Sequence, residues 1–368
     1  MIQPMSSTIH PTSLKSQNQL KKRYLFYISQ NYSYAILRPL QKAIKARGEQ
    51  IAWFLEGEQV EACYLNDDET HLLTVKEVFN YSPDAIFYPA NIAPTFLPGI
   101  NVAIFHGFDA GKLDKRGNND HFKVRHCFDL YCTQGPNTTK PFVALEKKFK
   151  SFKVKETGWC ALDELYKKDE VKGNIQILKT KPTILLCSTF SKKLSAAPHL
   201  FETVKNLSNT RKWNWLIQFH PKMPIEIIDQ YKSIQSDHLT FVETDNIMPL
   251  LQEADVMVCD TSSVLMMFLL LNKPVVTFKN ISPTDYLIDI SEPEKLEQSI
   301  EYALNRPEEL MQKIVKFIKE THPYNDGKSS DRVLAAVDEI LKSGIPLKKK
   351  PLNLIRNFKM RKKLGYWR

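Results

Sequence analysis

A two-domain α/β protein built on parallel, Rossmann-like sheets is the fold class the sequence predicts, from three observations. The chain has 368 residues, more than one ordinary core holds and suited to two domains of about 100–200 residues each. Short apolar runs alternate with helix-period segments through nearly its whole length, as βαβ units do. Several runs, Val102–Phe105 among them, are apolar at every position, which suits strands of a sheet covered on both faces.

After a polar leader (1–20), the first domain is expected over 21–165. Tyr24–Ser29 reads as its first strand, followed by a polar turn. The next helix ends at Lys45-Ala46-Arg47-Gly48, with cations in the last turn and glycine at the stop. Ile51–Leu55, Ala85–Tyr88, Val102–Phe105 and Phe128–Cys132 read as further strands. A Lys-rich stretch without sustained period (166–181) serves as the linker. The second domain (182–342) restarts the alternation, with strands Thr183–Cys187, Trp215–Phe219, Thr240–Val242, Val256–Cys259 and Pro274–Phe278. Its helices are expected at Ala197–Leu207, Ser263–Leu271, Glu294–Leu304 and Glu308–Glu320, with Ser329–Leu341 as the final one. Two such halves facing a cleft, closed by a C-terminal helix, make a GT-B-like architecture, and a basic tail (343–368) follows.

Composition narrows the function classes. With 43% hydrophobic and 25% charged residues the chain is globular. The longest apolar run, Val264–Leu271, has eight residues, against the roughly 20 that span a bilayer. The leader lacks the apolar core of a secretory signal. The net charge of +10 is concentrated: residues 348–368 carry nine Lys or Arg and no carboxylate. The body is therefore nearly neutral, which argues against a nucleic-acid partner. Six cysteines form no C-x-x-C pair, so a reducing, cytoplasmic setting is expected. Neither G-x-G-x-x-G nor a P-loop occurs, and glycine numbers only 12. Phosphate would have to be held by helix starts and hydroxyls instead.

Four constellations could carry chemistry. Asp260-Thr261-Ser262-Ser263 follows a buried strand and opens an apolar helix, which makes it either an anion site at the sheet edge or a helix cap needing no ligand. His220, before Pro221, stands where a parallel strand ends and ligands bind; His106, before Gly107, stands in the same relation to the earlier strand. The two imidazoles are expected to face one another across the groove, unless each merely satisfies a loop. A neutral imidazole can take a hydroxyl proton at pH 7. Lys328 and Ser329, after Gly327, could hold a phosphate at the start of the last helix, while Asp326 and Ser330 read as loop and cap. Asp120, His121 and His126 match no standard metal spacing.

Taken in order, these segments resemble one family. His106-Gly107, Gly158-Trp159-Cys160-Ala161-Leu162-Asp163, Leu185–Phe190, His220-Pro221, Asp260–Ser263 and Asp326–Ser330 are similar to the motif series of the CDP-glycerol glycerophosphotransferases. The resemblance spans about 106–341. It implies an enzyme that moves glycerol phosphate, or a similar polyol phosphate, from a CDP-activated donor to a hydroxyl of a glycan or lipid-linked acceptor, with CMP leaving. It implies that His106 is the general base and that His220 stabilises the diphosphate. Thr189, Asp260, Thr261, Ser262, Ser263, Lys328 and Ser329 would contact donor phosphates, and neither metal nor cofactor is implied. The pattern departs from the family at Phe105, at Phe108-Asp109, at the uncharged Trp159-Cys160-Ala161, and between Lys279 and Pro293, where no Arg-Gly occurs. The alternative is a GT-B glycosyltransferase or related epimerase using a UDP-sugar. The tail, with Leu352, Ile355 and Phe358 among its cations, suits an anionic membrane surface through residues 348–368. That would put the protein peripherally on the inner face of the cytoplasmic membrane.

Overall fold

A computed structural model describes residues 21–109, 117, 119–167, 180–191, 193–244, 246–344 and 347–367. The leader (1–20), most of the linker (168–179), and Lys112, Lys115 and Arg368 lie outside the described residues. Among the described residues the chain forms two parallel sheets. The first contains β1 (Arg23–Ile28), β2 (Gln50–Leu55), β3 (Thr70–Leu72), β4 (Ala85–Tyr88), β5 (Ile100–Ala103), β6 (Leu130–Thr133) and β7 (Lys153–Glu156), in the order β3-β2-β1-β4-β5-β6-β7. Helices α1 (Ser33–Ala46), α2 (Val75–Tyr81) and α3 (Pro136–Phe149) connect them. The second sheet contains β8 (Thr183–Ser188), β9 (Asn214–Phe219), β10 (Leu239–Phe241), β11 (Val256–Cys259), β12 (Val275–Phe278) and β13 (Ile288–Ile290), in the order β10-β9-β8-β11-β12-β13. Its helices are α4 (Ala197–Asn209), α5 (Ile225–Ser233), α6 (Met248–Glu253), α7 (Val264–Leu270), α8 (Leu296–Leu304) and α9 (Glu308–Thr321); α10 (Ser329–Ser343) and α11 (Leu354–Lys363) close the chain. No described helix is long and apolar enough to cross a membrane.

The central strands are apolar because both their faces are covered. Every residue of β4, β8, β11 and β12 is buried, the pattern of a parallel sheet between helix layers. Each sheet reverses strand order at one place, between β1 and β4 and between β8 and β11. At such a reversal the loops leave in opposite directions and open a crevice at the carboxyl edge. The first-sheet strand expected at Val102–Phe105 ends earlier, at Ala103. Ile104 and Phe105 are also buried, but they belong to the turn that carries His106.

The final helix has a different allegiance from the one its sequence position suggested. It was expected to complete the second domain, yet α10 packs on α1 and on the turn Cys160–Tyr166 of the first. Asp163, 2% exposed, explains the docking. Its carboxylate accepts the amides of Ser329 (2.8 Å) and Ser330 (2.8 Å), donors that a helix start leaves unpaired. Asp338, further along α10, forms ion pairs with Lys22 and Arg47.

A second contact ties the same joint. His322, just after α9, accepts the Trp159 amide on Nε2 at 2.9 Å. Gly158 leaves no room for a side chain there: a Cβ would lie 2.4 Å from the Ser329 hydroxyl, and its φ of +78° favours glycine. Burial pushes His322 down to about 4, so its ring is neutral near pH 7. In the unfolded chain it titrates near 6.5, so between those values the unfolded state binds the extra proton. Stability from this group is complete above about pH 6.5 and is lost as pH falls towards about 4, a difference of about 3 kcal/mol. Urea unfolding should therefore show wild type more stable than His322→Asn near neutrality, with the gap closing as pH drops through that window. A gap that does not change with pH would contradict the assignment.

Candidate active site

The carboxyl edge of the first sheet presents His106 on a braced turn. Phe105 before it has φ 59°, the left-handed region, which costs a bulky residue about 1–3 kcal/mol and persists only where surroundings enforce it. Here the enforcement is visible. The Trp159 indole N–H donates to the Phe105 carbonyl at 3.3 Å, and the buried Gln134 side chain donates to the Gly107 carbonyl at 2.7 Å. His106 Nδ1 lies 3.2 Å from the Pro89 carbonyl, at the end of β4. A carbonyl only accepts, so Nδ1 carries a hydrogen, which in the neutral ring leaves the lone pair on Nε2. The ring is exposed and 6.0 Å from that of Tyr32, at the exit of β1. Nothing stands within 4 Å of where a Gly107 Cβ would be, so the backbone there is open to approach.

The second sheet places His220 directly after β9, with the opposite polarity. The Lys222 amide donates to His220 Nδ1 at 3.0 Å, so Nδ1 is the acceptor and Nε2 carries the hydrogen. Desolvation, then the Lys222 charge, holds this imidazole below its ordinary value. The ring is therefore neutral near pH 7 and offers an N–H donor. Phe190 packs on it at 4.5 Å, and the Lys222 ammonium lies 5.8 Å from the Phe190 ring centre. Phe190 is 40% exposed and offers an aromatic face beside the histidine. Neither Phe190 nor Lys222 was singled out from sequence, although Phe190 ends the segment that begins at Leu185.

Around Asp260 the structure separates four residues expected to act alike. Asp260 is fully buried and its carboxylate points inward. It accepts from Ser188 Oγ (2.6 Å), the Thr189 amide (3.0 Å) and the Ala196 amide (3.0 Å). Burial raises its pKa, against the pull of those donors. An inward carboxylate already holding three donors is no phosphate contact, and that expectation is corrected: Asp260 ties Ser188, Thr189 and Ala196 together at the β8–β11 reversal. Thr189 is held through its amide. Thr261 Oγ1 accepts from the Ile281 amide at 3.1 Å. Ser262 is half-buried and Ser263 exposed at the start of α7; the Ser262 hydroxyl accepts the Val264 amide at 3.4 Å and keeps its own hydrogen to donate.

The last pair departs further from expectation. The amides of Ser329 and Ser330 end on Asp163, and the Ser329 hydroxyl lies over Gly158. The α10 start is thus occupied by a protein carboxylate, so Ser329 is a docking residue rather than a phosphate ligand. Lys328 beside it is exposed. An open groove lined by Asp109, Asn137 of α3, Met266 of α7, Tyr286, and Lys313 and Phe317 of α9 runs between these helices. The brace makes a measurable prediction. Asp260→Ala should speed hydrogen exchange at the Thr189 and Ala196 amides at least about tenfold relative to the β9 core. Unchanged protection at both amides would show that the carboxylate does not hold the loop.

Comparison with known proteins fits this geometry. Residues 104–284 match the family model of CDP-glycerol:poly(glycerophosphate) glycerophosphotransferase. The teichoic acid ribitol-phosphate polymerase TarL of Staphylococcus aureus (strain NCTC 8325 / PS 47) is 26% identical over 63% of this chain and 45% of its own length. The chain thus spans less than half the length of that curated relative. Among solved structures, a UDP-N-acetylglucosamine 2-epimerase from Listeria monocytogenes, described as putative, superposes with TM-score 0.63 at 14% identity, covering 88% of this chain and 97% of that one. The wall teichoic acid polymerase TagF superposes with TM-score 0.60 at 13% identity, covering 88% and 90%. At these identities the two structures speak for the GT-B-like fold alone. The matched segment, Ile104 to Thr284, is just under half of the chain, and over it the chain is similar to the CDP-glycerol glycerophosphotransferases.

Proposed function

We propose that this protein transfers a glycerol-phosphate or similar polyol-phosphate group from a CDP-activated donor to a hydroxyl of a cell-envelope glycan or lipid-linked acceptor, releasing CMP. The single observation carrying this reading is the opposed polarity of the two histidines: His106 presents a lone pair, and His220 presents an N–H. The similarity to the glycerophosphotransferase model suggests the substrate class, and a variant of TagF has been solved after a soak with CDPG.

The reaction balances with these groups. The acceptor oxygen attacks the polyol-bearing phosphorus, and its proton passes to His106 Nε2. A new P–O bond forms as the bond to the bridging oxygen breaks, and CMP departs with that oxygen and the electron pair. Negative charge spreads over the phosphoryl oxygens in such a transition state. His220 Nε2–H, with the hydroxyls of Thr189, Ser262 and Ser263, meets it as fixed donors. Helix α7 has only seven residues, so the site is credited to these hydroxyls and the imidazole rather than to a macrodipole. Tyr32 beside His106 is placed to position the acceptor. Desolvation raises its pKa, so the phenol keeps its proton as a donor. Docking through residues 348–368 on the inner face of the cytoplasmic membrane would give access to a lipid-linked acceptor.

The assay is CMP release from CDP-glycerol and CDP-ribitol, run beside UDP release from a UDP-sugar panel. CMP formation is expected, with kcat falling about 10²–10⁴-fold in His106→Ala, the range for losing a general base. His220→Ala should lower kcat/KM about 10²-fold or more, the loss seen when one transition-state donor is removed. UDP release with no CMP would replace this reading with the UDP-sugar alternative, whose support is the epimerase-like fold.

A further inference from the structure

The basic tail is a fixed plate rather than a loose tether. The Lys348 amide donates to the Lys150 carbonyl at 2.9 Å, and Lys350 pairs with Asp129. Lys363 pairs with the nearly buried Glu56 at 2.7 Å. Arg361 lies 4.2 Å from the Phe96 ring centre, and Tyr366 stacks on Phe79 (5.3 Å) and Phe96 (5.9 Å). Asn357 takes a hydrogen bond from the Thr95 hydroxyl at 3.0 Å. Helix α11 is therefore held at both ends and in its middle against the first domain.

What α11 turns outward is apolar and ringed by cations. Leu352, Leu354, Ile355, Phe358 and Trp367 are 74, 71, 76, 59 and 59% exposed. Leu354, Ile355 and Phe358 share one helix face by their spacing, and Ile92 from the loop after β4 lines the same groove. Lys348, Lys349, Lys359 and Lys362 are exposed around it. Single-sign charge selects the occupant. A second copy would set cation against cation in a symmetric pair, and an acidic polymer would leave the five apolar side chains in water. An anionic bilayer accepts both, with headgroups for the lysines and the acyl boundary for the ridge.

We infer that this face seats on an anionic lipid surface and that its seating sets the orientation of the His106 edge. The link is the loop after β4. Pro89 accepts the His106 Nδ1 hydrogen, Ile92 lines the ridge three residues on, and Thr95 binds Asn357. Three residues of chain span at most about 11 Å, so the ridge and the histidine turn are parts of one rigid corner. The orientation part rests on the proposed reading of His106 as the acceptor side; the seating itself does not.

The test is co-sedimentation of the full chain with phosphatidylglycerol–phosphatidylcholine vesicles and with phosphatidylcholine vesicles, alongside analytical ultracentrifugation without lipid. Wild type should bind the anionic vesicles preferentially. Ile355→Glu with Phe358→Glu should lower the partition coefficient by about a hundredfold or more while keeping the wild-type melting temperature. Replacing Lys348, Lys349, Lys359 and Lys362 by Gln should lower it on anionic vesicles only. With a lipid-linked acceptor the apolar double variant should lose CMP release; with a soluble acceptor it should keep it. Unchanged vesicle binding by that variant would overturn the inference, as would a wild-type dimer that the same substitutions dissociate in the absence of any vesicle binding. Failure of the transferase reading would appear separately, as absence of CMP release with either acceptor while vesicle binding still responds to the substitutions.

Discussion

One buried carboxylate, Asp163, receives the two free amides at the start of α10, and the rest of the molecule is arranged around that docking. The chain leaves the second sheet through α9, passes His322, and returns to the first domain only because a helix start finds an acceptor there. The segment that supplies it, Gly158–Asp163, also supplies the Trp159 indole that props the strained turn before His106. Removing an acceptor from a buried helix start leaves amides unpaired, at a cost of about 1–3 kcal/mol per group. At this joint the loss would reach the histidine as well as the helix. Fold stability and site geometry thus share one short segment.

The second sheet repeats the device without sharing residues. Asp260 does for Ser188, Thr189 and Ala196 what Asp163 does for α10, collecting backbone amides and a hydroxyl into the interior. Both carboxylates sit among neutral donors with burial raising their pKa. Each fixes a short stretch of backbone with the carboxylate oxygens turned inward. Such fixing suits phosphoryl transfer, in which catalysis is chiefly positioning and charge stabilisation by groups already in place.

Much of this was legible in the sequence, for stated reasons. Strand β11 matches its expected bounds, Val256–Cys259, because it is buried on both faces and so apolar at every position. Strands β3, β7 and β13 escaped notice: β3 and β13 have three residues, and β7 reads Lys-Val-Lys-Glu at a half-exposed edge. Helix α3 opens on Pro-Asn-Thr-Thr and contains Pro141, weak local signals that tertiary packing overrides. In the site, the two histidines and the hydroxyls were visible as strand-end residues. The inward turn of Asp260 was not, because a carboxylate before a helix reads alike whether it caps, binds or braces. Ser329 was misjudged since its partner lies 166 positions away, beyond the reach of any local pattern.

The account's central claim is that the loops at the β8–β11 reversal receive the diphosphate of a CDP-linked polyol. Calorimetric titration tests it without an acceptor. CDP-glycerol should bind wild type, and Ser262→Ala with Ser263→Ala should weaken it about tenfold or more, the scale of one or two hydrogen bonds to a charged group. UDP-N-acetylglucosamine should not compete. Binding of the UDP-sugar in place of CDP-glycerol, or full affinity in the double variant, would contradict the account.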